Sequence, residues 1–579
     1  MNIAAARAVR PRRLTDHWHA ARVRLSPGWL CFVICLVPYL AAAAFVSLSF
    51  NALLGDDGVS RVEIASRILF SADPHLGAIG FVWSPIPVLA MLPLVAAKPA
   101  LPVLVTQALA GTIVSAVFMS GAVAQVLGLL RDVGTGRRLR WALTALFALH
   151  PMIVLYAANA MSEAGFIFFL LLVARALNRW LRTRESGALV ATGFYLALAY
   201  LTRYEAAAAA LAGTGVVVLT TFLTSRGQLR LRLRLTMLDA LIVVAPFTAA
   251  FAAWAGFSWV ITGTPFAQFS SNYGNAEQVA AIGLHPPQTL STLLANVGQA
   301  LHWMVGLEPF LPLVVLACLG VIIRRRDWAA LGAPAVLAAV LAYLFFASVT
   351  EQVPPQLRFY IVEIPLVLLM LGIIVGHRDV TASSTAAAPE PAPPTRRAHS
   401  LIGVLCPAVR RRAIAMGALL VMGLTIPLGF QIVANPAVDG SFATGLQALM
   451  NRGPLTPTER AVELQFAPDR AVSAYMDSLH LPRESVLIDD FDGFVVIMSS
   501  SHPDQYVITS DVDFQQDLAD PAAAGIAYVL IPQPTGLVQL DAVNRAYPQA
   551  YANGTGIGTL VKTFAGDKEW RLYRVVGAS

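Results

Sequence analysis

Two adjacent carboxylates, Asp56 and Asp57, stand in the segment Gly55-Asp56-Asp57-Gly58, just after the first long apolar run. Paired acids at a membrane surface suit two kinds of chemistry. One is general-base catalysis, in which a carboxylate takes the proton of an acceptor hydroxyl. The other is ligation of a divalent cation, Mg²⁺ or Mn²⁺, that holds a phosphate, with Glu163 as a further ligand. A solvated turn is the alternative interpretation, because Gly and Asp both favour turns.

Five basic residues form the second set of candidates. From Met1 to Asn435 the chain has 32 Lys and Arg, and 27 of them fall in breaks that become cytoplasmic if the N-terminus lies inside. Cytoplasmic loops collect Lys and Arg during membrane insertion, so these need no functional reason. The other five fall on the outer face: Arg61, Arg67, Lys98, Arg203 and Arg358.

One of these arginines, Arg358, is a predicted phosphate ligand. Arg358 stands where the tenth apolar run begins, two residues before Tyr360, and Arg203 stands two residues before Glu205. An arginine at a membrane boundary can bind phosphate in a bidentate manner. It can also extend to the lipid headgroups, and the Arg203–Glu205 pair can be a weak surface pair. The scarcity of cations on the outer face favours phosphate binding.

The remaining candidates are predicted to support the site. After Asp57, apolar residues recur at helical spacing as far as Leu69, which predicts an amphipathic helix lying in the membrane interface. Arg61 and Glu63 project from its polar side, with Arg67 one turn beyond Glu63. Glu163 begins the fourth apolar run, where a solvated acid at a helix start is the alternative.

The composition excludes a soluble protein. Of 579 residues, 57% are hydrophobic and 13% are charged, against about 25% charged in soluble domains. The net charge is +7, but the basic residues flank apolar runs, which indicates a membrane protein and not a nucleic-acid partner. The four cysteines lie in or next to apolar runs, so a disulfide framework is not expected.

Threading the chain with alternating sides predicts a polytopic α-helical membrane protein of about eleven transmembrane helices. The segment 80–98 is apolar but broken by prolines, which predicts a re-entrant or surface segment. The predicted spans are 28–50, 100–130, 140–157, 162–181, 187–201, 204–224, 236–260, 303–323, 328–348, 358–376 and 413–434.

Five parts follow from this threading. A basic cytoplasmic N-terminus (1–27) precedes a transmembrane catalytic module (28–376), a Pro/Ala-rich cytoplasmic linker predicted to be disordered (377–412), the last span (413–434) and an outer soluble α/β domain (435–579). Strands of the outer domain are predicted at 486–488, 494–498, 506–509, 527–531, 559–564 and 570–576. Asp489, Asp490 and Asp492 follow the first of these strands and could bind a cation or sugar, or form a solvated loop.

In order and sidedness, these features resemble the GT-C class of polyprenyl-phosphate-sugar-dependent glycosyltransferases of bacteria. The class includes the protein O-mannosyltransferases, the aminoarabinose transferase of lipid A and the mycobacterial arabinosyltransferases. Its pattern of an acidic pair, an amphipathic helix and a Pro-rich segment corresponds to Asp56-Asp57, the helix through Ala65, and Trp83 to Pro93. Glu163 matches an acid at the fourth span. Arg358-Phe359-Tyr360 matches an Arg-Tyr-like pair with Phe inserted.

The resemblance implies an inverting transfer of a sugar from a polyprenyl-phosphate donor to a hydroxyl of a glycan, lipid or protein. Asp56 or Asp57 would be the base; the second acid is Asp where many members have Glu, so the choice stays open. Arg358, with Arg203, would neutralise the leaving phosphate, with Glu163, Glu205, Arg61, Glu63 and Tyr360 in support. The expected location is the plasma membrane, with the N-terminus cytoplasmic, and the expected role is in cell-envelope synthesis, as a mannosyl- or arabinosyltransferase for example.

Two alternatives differ in class. One is a transporter or flippase for lipid-linked sugars, which would usually show internal repeats and charges at mid-membrane. The sequence shows no repeat, and its ionisable residues gather at span ends. The other is a non-catalytic membrane scaffold with an outer ligand-binding domain, which would not require the acids and Arg358 on one face.

Overall fold

The computed structural model describes residues 26–376, 407–566 and 568–577. The predicted basic N-terminus (1–27) and the predicted linker (377–412) lie mostly outside the described residues. The described chain forms a helical membrane module and a C-terminal α/β domain, as expected.

Helices account for nearly all of the membrane module. They are α1 (Pro27–Leu48), α2 (Asp56–Phe70), α3 (Ile86–Val95), α4 (Val103–Thr106), α5 (Leu109–Asp132), α6 (Arg137–Ala148), α7 (Pro151–Tyr156), α8 (Glu163–Thr183), α9 (Ser186–Tyr200), α10 (Ala206–Thr224), α11 (Leu229–Thr262), α12 (Ala267–Ser270), α13 (Asn275–Ala281), α14 (Leu290–Leu307), α15 (Leu311–Arg325), α16 (Gly332–Val349), α17 (Glu363–Val375) and α18 (Pro407–Val433). Short 3-10 turns cover Asn51–Leu53, Leu76–Ile79, Trp328–Leu331 and Leu357–Tyr360.

The spans support a multi-pass membrane protein. Within the described ranges, eight helices are long and apolar enough to cross a membrane, and the pair α14 and α15, bent by 74°, makes up to nine. Two predicted spans are shorter than a crossing requires: α9 has 15 residues, and the third span is divided into α6 and α7 at Leu149-His150. The count of eleven therefore stays a prediction. The proline-broken segment 80–98 contains only the ten-residue α3.

The C-terminal domain is built on a five-stranded mixed sheet in the order β2-β1-β3-β5-β4. The strands are β1 (Val486–Leu487), β2 (Tyr506–Val507), β3 (Tyr528–Pro532), β4 (Gly558–Phe564) and β5 (Trp570–Val575); β1 pairs in parallel with β2 and β3, whereas β5 pairs antiparallel with β3 and β4. The helices are α19 (Pro436–Met450), α20 (Pro457–Glu463), α21 (Ala467–Ser478), α22 (Asp490–Ser499), α23 (Phe514–Ala519), α24 (Ala542–Ala546) and α25 (Ala550–Asn553), with 3-10 turns at Pro503–Gln505 and Gly536–Leu540.

One predicted strand is wrong. Residues 494–498 belong to α22 and not to the sheet. The Asp489 side chain accepts a hydrogen bond from the amide of Phe491 and so caps the helix. A short apolar run in a sequence is compatible with a buried strand and with a buried helix. Here the hydrogen bond from the amide of Phe491 to Asp489 caps a helix start.

Helix α2 lies between the two parts of the protein, and its predicted position in the membrane interface stays a prediction. Of its 15 residues, ten are buried, including Arg61, Glu63 and Arg67. It packs against α3 of the membrane module on one side and against α22 of the C-terminal domain on the other. The predicted polar side of α2 is therefore covered by protein, because the C-terminal domain folds back over it.

Two neighbouring acids attach the C-terminal domain to the membrane module. Asp490 forms an ion pair with Arg67, and both side chains are nearly buried. Asp489 accepts a hydrogen bond of 2.6 Å from the hydroxyl of Tyr273, whose ring stacks on Phe491 at 5.0 Å. Tyr273 lies in the loop between α12 and α13, so α2 and this loop are held by the same turn of the domain.

We expect Asp490→Asn to loosen this attachment. Arg67 is 9% exposed and would keep only Glu63 as a carboxylate partner. The free energy of unfolding should fall by about 2 kcal/mol, the range for a hydrogen bond to a charged group. Limited proteolysis of the purified protein should release the C-terminal domain sooner.

The control is Glu484→Gln in the same domain. The Glu484 side chain is 58% exposed and lies 3.9 Å from Arg483, so its removal should change stability by less than about 0.5 kcal/mol. Equal protease resistance of both variants would contradict the role of the Arg67–Asp490 pair.

Candidate active site

The predicted catalytic acids occupy the first turn of α2. Gly55 precedes the helix, and its amide donates a hydrogen bond of 3.1 Å to the carbonyl of Asn159. The partial positive charge at a helix N-terminus stabilises carboxylates in this turn. The same contact directs Asp56 and Asp57 toward the segment that leads into Glu163 and α8.

A glycine allows this close approach. A Cβ atom at Gly58 would lie 2.7 Å from the carbonyl carbon of Ala160. Ala160 has φ of +68°, so the backbone turns sharply at the contact. A side chain at position 58 would push the start of α2 away from α8, and with it Asp57 away from Glu163.

Arg358 joins the two elements. Its Nη1 atom lies 2.8 Å from Oδ2 of Asp57, and its Nε atom lies 3.8 Å from Oε1 of Glu163. The 3-10 turn Leu357–Tyr360, just before α17, presents it. Its buried Nε–H has no hydrogen-bond partner among the described residues. Arg358 is therefore held between two carboxylates and keeps one donor free.

Arg203 completes an ion-pair network, which we define as Asp57, Arg358, Glu163, Arg203 and Glu205. Its Nη1 atom lies 2.6 Å from Oε1 of Glu163, and its Nη2 atom lies 2.6 Å from Oε1 of Glu205. Burial opposes ionisation of Glu205, but the charge and hydrogen bonds of Arg203 outweigh it and lower the pKa of that carboxyl. Arg203 thus bonds to two carboxylates.

Arg61 lies beside the network without a carboxylate partner. Its Nη1 donates a hydrogen bond of 2.9 Å to the backbone carbonyl of Asp57, and its guanidinium lies 4.9 Å from the ring centre of Trp83. The side chain is 5% exposed, and its Nε–H has no partner among the described residues. Burial lowers the pKa of Arg61, with Asp57 and Glu163 opposing. Such a cation favours binding of an anion.

The two acids differ in electrostatics. Burial raises the pKa of Asp57, but the charges of Arg358 and Arg61 outweigh it, and the pKa is lowered. Solvent reaches the Asp56 side chain. The surrounding protein, and then the charge of Asp57, nevertheless raise its pKa to about 6. Asp57 is therefore a constant anion in an ion pair, whereas Asp56 is a carboxyl that titrates near neutrality.

Two predicted support residues lie outside the network. Glu63 is 3.3 Å from Arg67, and burial raises the pKa of Glu63 to about 8, although the charge of Arg67 opposes this. Tyr360 packs with its ring centre 6.2 Å from that of Trp303. The supporting roles of Glu63 and Tyr360 stay predictions.

Two charged residues at the site, Asp439 and Lys568, are not predicted from the sequence. Asp439 of α19 has its pKa raised to about 7 by burial, with the Arg358 charge opposing. Lys568 donates a hydrogen bond of 2.9 Å to Oδ1 of Asp492. Of the charges that lower the pKa of Asp56, that of Lys568 has the largest effect. Asp439 is the first acid after the last span, a signal that could have found it; Lys568 has no such signal.

A divalent cation does not fit the placement of these side chains. Across residues 26–376, 407–566 and 568–577, no three His, Cys, Asp or Glu side chains form a group that could hold a metal ion. Arg358 stands between Asp57 and Glu163 and already neutralises them. The metal role of Asp56, Asp57 and Glu163 stays a prediction from the sequence, and no step below depends on it.

No protein-family model and no curated protein sequence matches the chain. Solved structures do match. ArnT from Cupriavidus metallidurans bound to undecaprenyl phosphate has 12% sequence identity and a TM-score of 0.52, with 93% of this chain and 98% of ArnT covered. ArnT in the apo state gives 14% identity and a TM-score of 0.48, with 94% and 98% covered.

A third structure is the oligosaccharyltransferase AglB from Archaeoglobus fulgidus in complex with an inhibitory peptide and a dolichol-phosphate. It has 12% identity and a TM-score of 0.43, with 86% of this chain and 69% of AglB covered. The likeness to ArnT bound to undecaprenyl phosphate extends over almost the whole of both chains, and ArnT is a GT-C aminoarabinose transferase. The chain therefore has the GT-C fold that its sequence features predict.

Proposed function

We propose that the chain is a membrane glycosyltransferase that moves a sugar from a polyprenyl-phosphate donor to a hydroxyl acceptor. The observation that carries the proposal is a titrating carboxyl, Asp56, within reach of the charge of Arg358; Arg358, and Arg61 on the same helix as Asp56, each have a buried N–H without a partner among the described residues. A base and an anion site side by side are what transfer from a phosphate leaving group requires. The ArnT-like fold supports a lipid phosphate as the leaving group, since that ArnT structure holds undecaprenyl phosphate.

Asp56 is the general base of this proposal. Its carboxylate takes the proton of the acceptor hydroxyl as the hydroxyl oxygen attacks the anomeric carbon of the donor sugar. The bond from that carbon to the phosphate oxygen breaks in the same displacement, so the configuration inverts. A pKa of about 6 suits a base that works near neutral pH. Asp57, whose pKa is lowered by Arg358, holds that arginine in place.

The arginines stabilise the leaving group. The departing polyprenyl phosphate gains a negative charge as the sugar leaves, and preorganised donors stabilise such developing charge most effectively in a site that excludes water. Arg358 and Arg61 supply these donors. Arg203 adds its charge from within the ion-pair network and keeps Glu163 aligned.

The face, the sugar and the acceptor are finer parts of the proposal. The positive-inside pattern puts the site on the extracytoplasmic face of the plasma membrane. The acceptor is a hydroxyl of a glycan, lipid or protein of the cell envelope, and the C-terminal domain, whose Lys568 acts on the pKa of Asp56, is the part that would bind it. The sugar is a hexose or pentose, mannose and arabinose being the first to test.

The first test is sugar transfer in membranes that contain the chain, from a panel of radiolabelled polyprenyl-phosphate sugars. We expect transfer from one donor, and a loss of about 10²–10⁴-fold in kcat for Asp56→Asn, the usual contribution of a general base. Asp439→Asn is the matched control, because Asp439 is a second carboxyl of raised pKa near Arg358. If Asp56→Asn kept full activity and Asp439→Asn were inactive, the general base would be Asp439 and not Asp56. Failure of every donor with folded protein would favour a transporter or scaffold.

The pH profile provides a second test. The base works only when ionised, so kcat/KM should fall as the pH drops below about 6. In Asp57→Asn the acidic limb should move to lower pH, because the charge of Asp57 raises the pKa of Asp56. A limb unmoved in this variant would argue against Asp56 as the titrating group.

The arginines should separate into two kinds of effect. Arg61→Gln should weaken binding of polyprenyl phosphate by about tenfold or more, with little change in thermal stability, because it breaks no ion pair. Arg203→Gln should lower the free energy of unfolding by about 3–5 kcal/mol, because it leaves Glu205 without its ion-pair partner and Glu163 with Arg358 alone, 3.8 Å away. Lipid binding and thermal unfolding of both purified variants would be measured side by side; equal profiles would contradict the division.

A further inference from the structure

A groove outside the ion-pair network lies between α1, α5 and α8. It has a volume of about 640 Å³ and extends from Phe118 and Phe168 to the last turn of α5 and the first turn of α6. Aromatic rings form much of its wall, and those are Trp29, Phe32, Phe118 and Phe168. The groove faces the region of the lipid chains, since Trp29 is 59% exposed and Val117 is 42% exposed.

Small residues on α5 let the side chains of α8 that line the groove pack closely against the helix. Gly121 and Gly128 are seven residues apart on α5, which is about two helical turns, so they share one face. A Cβ atom at Gly121 would lie 2.8 Å from the ring of Phe168, and one at Gly128 would lie 2.5 Å from the guanidinium of Arg175. Ala124 lines the floor between them.

One end of the groove is cationic. Arg131, Arg140 and Arg175 line it. Arg175 is bonded to Asp132 at 3.0 Å and to Gln125 at 2.6 Å. Arg140 forms no ion pair within the described chain, and its buried Nε–H has no hydrogen-bond partner there. A guanidinium in that state favours an anion that arrives from outside the protein.

The length of the groove matches one leaflet. Its lining on α5 extends from Val117 to Arg131, about 21 Å at a rise of 1.5 Å per residue. One leaflet with its headgroup region is about 20–22 Å thick, half of the 40–45 Å of a whole bilayer. An apolar channel of this length with cations at one end is complementary to a lipid, whose acyl chain would lie in the channel and whose phosphate would lie against the cations.

We propose that this groove binds one anionic glycerophospholipid of the leaflet opposite the active site. Its phosphate bonds to Arg140 with Arg131 beside it, and one acyl chain lies along α5 between Phe32 and Phe168. The headgroup replaces the protein partner that Arg140 lacks, which a neutral or zwitterionic headgroup does less well. This lipid is distinct from a donor, since its phosphate lies at the far ends of α5 and α8 from Arg358.

The test uses delipidated protein titrated with phosphatidylglycerol, and with phosphatidylcholine in parallel, followed by native mass spectrometry. Wild type should bind one phosphatidylglycerol in preference to phosphatidylcholine. Arg140→Gln should weaken this binding about tenfold, and Ala124→Phe, which fills the groove, should abolish it.

Matched controls test whether the effect is specific. Arg138→Gln removes an exposed charge from the same helical turn, and Ala249→Phe adds bulk on the exposed side of α11; both should bind like wild type. Three results would overturn the proposal: Arg138→Gln as weak as Arg140→Gln, phosphatidylcholine bound as tightly as phosphatidylglycerol, or polyprenyl phosphate bound at Arg140 in its place. None of these readouts depends on sugar transfer, so the outcome is independent of the proposed function.

Discussion

Charge buried at the edge of the membrane module must be balanced by charge, and this requirement determines the geometry of the site. Glu163 is 2% exposed and Arg61 is 5% exposed, depths at which an unpaired ion costs several kcal/mol. Three carboxylates (Asp57, Glu163 and Glu205) and three guanidiniums (Arg61, Arg203 and Arg358) meet there, so the formal charges cancel. Beside this network, Asp56 with a pKa of about 6 and Asp439 with a pKa of about 7 are carboxyls whose charge changes near neutral pH.

Helix α2 connects these charged groups to the C-terminal domain. Its first turn presents Asp56 and Asp57 to the membrane module, and its last turns hold Arg67 against Asp490 of the C-terminal domain. The domain in turn brings Lys568 toward Asp56. The site is therefore formed by the membrane module and the C-terminal domain together.

Much of this arrangement could be predicted from sidedness. Asp56, Asp57, Arg203 and Arg358 stand out in the sequence because basic residues are rare on one face of the predicted topology, and the structure brings all four side chains into one region. Other features depend on contacts between residues far apart in the chain. The helical spacing of α2 indicates an amphipathic helix, but spacing does not reveal that a domain several hundred residues later covers its polar side. Lys568 and Asp439 enter the site through the same folding back, and the capped helix at Asp490–Ser499 looks like a strand when only its apolar run is considered.

The two residues of the Arg67–Asp490 pair are synthesised far apart in time, which affects how the protein assembles during translation. The two residues are 423 positions apart, and membrane proteins are made and inserted from the N-terminus onward. While the later spans are still being translated, Arg67 has only Glu63 as a carboxylate partner and α2 has no cover. The network of Asp57, Arg358, Glu163, Arg203 and Glu205 can form once the span that follows Arg358 is made, whereas the cover of α2 waits for the C-terminal domain. A chain truncated before the C-terminal domain would keep that network and would lack the partner of Arg67, the cover of α2 and the charge of Lys568 near Asp56.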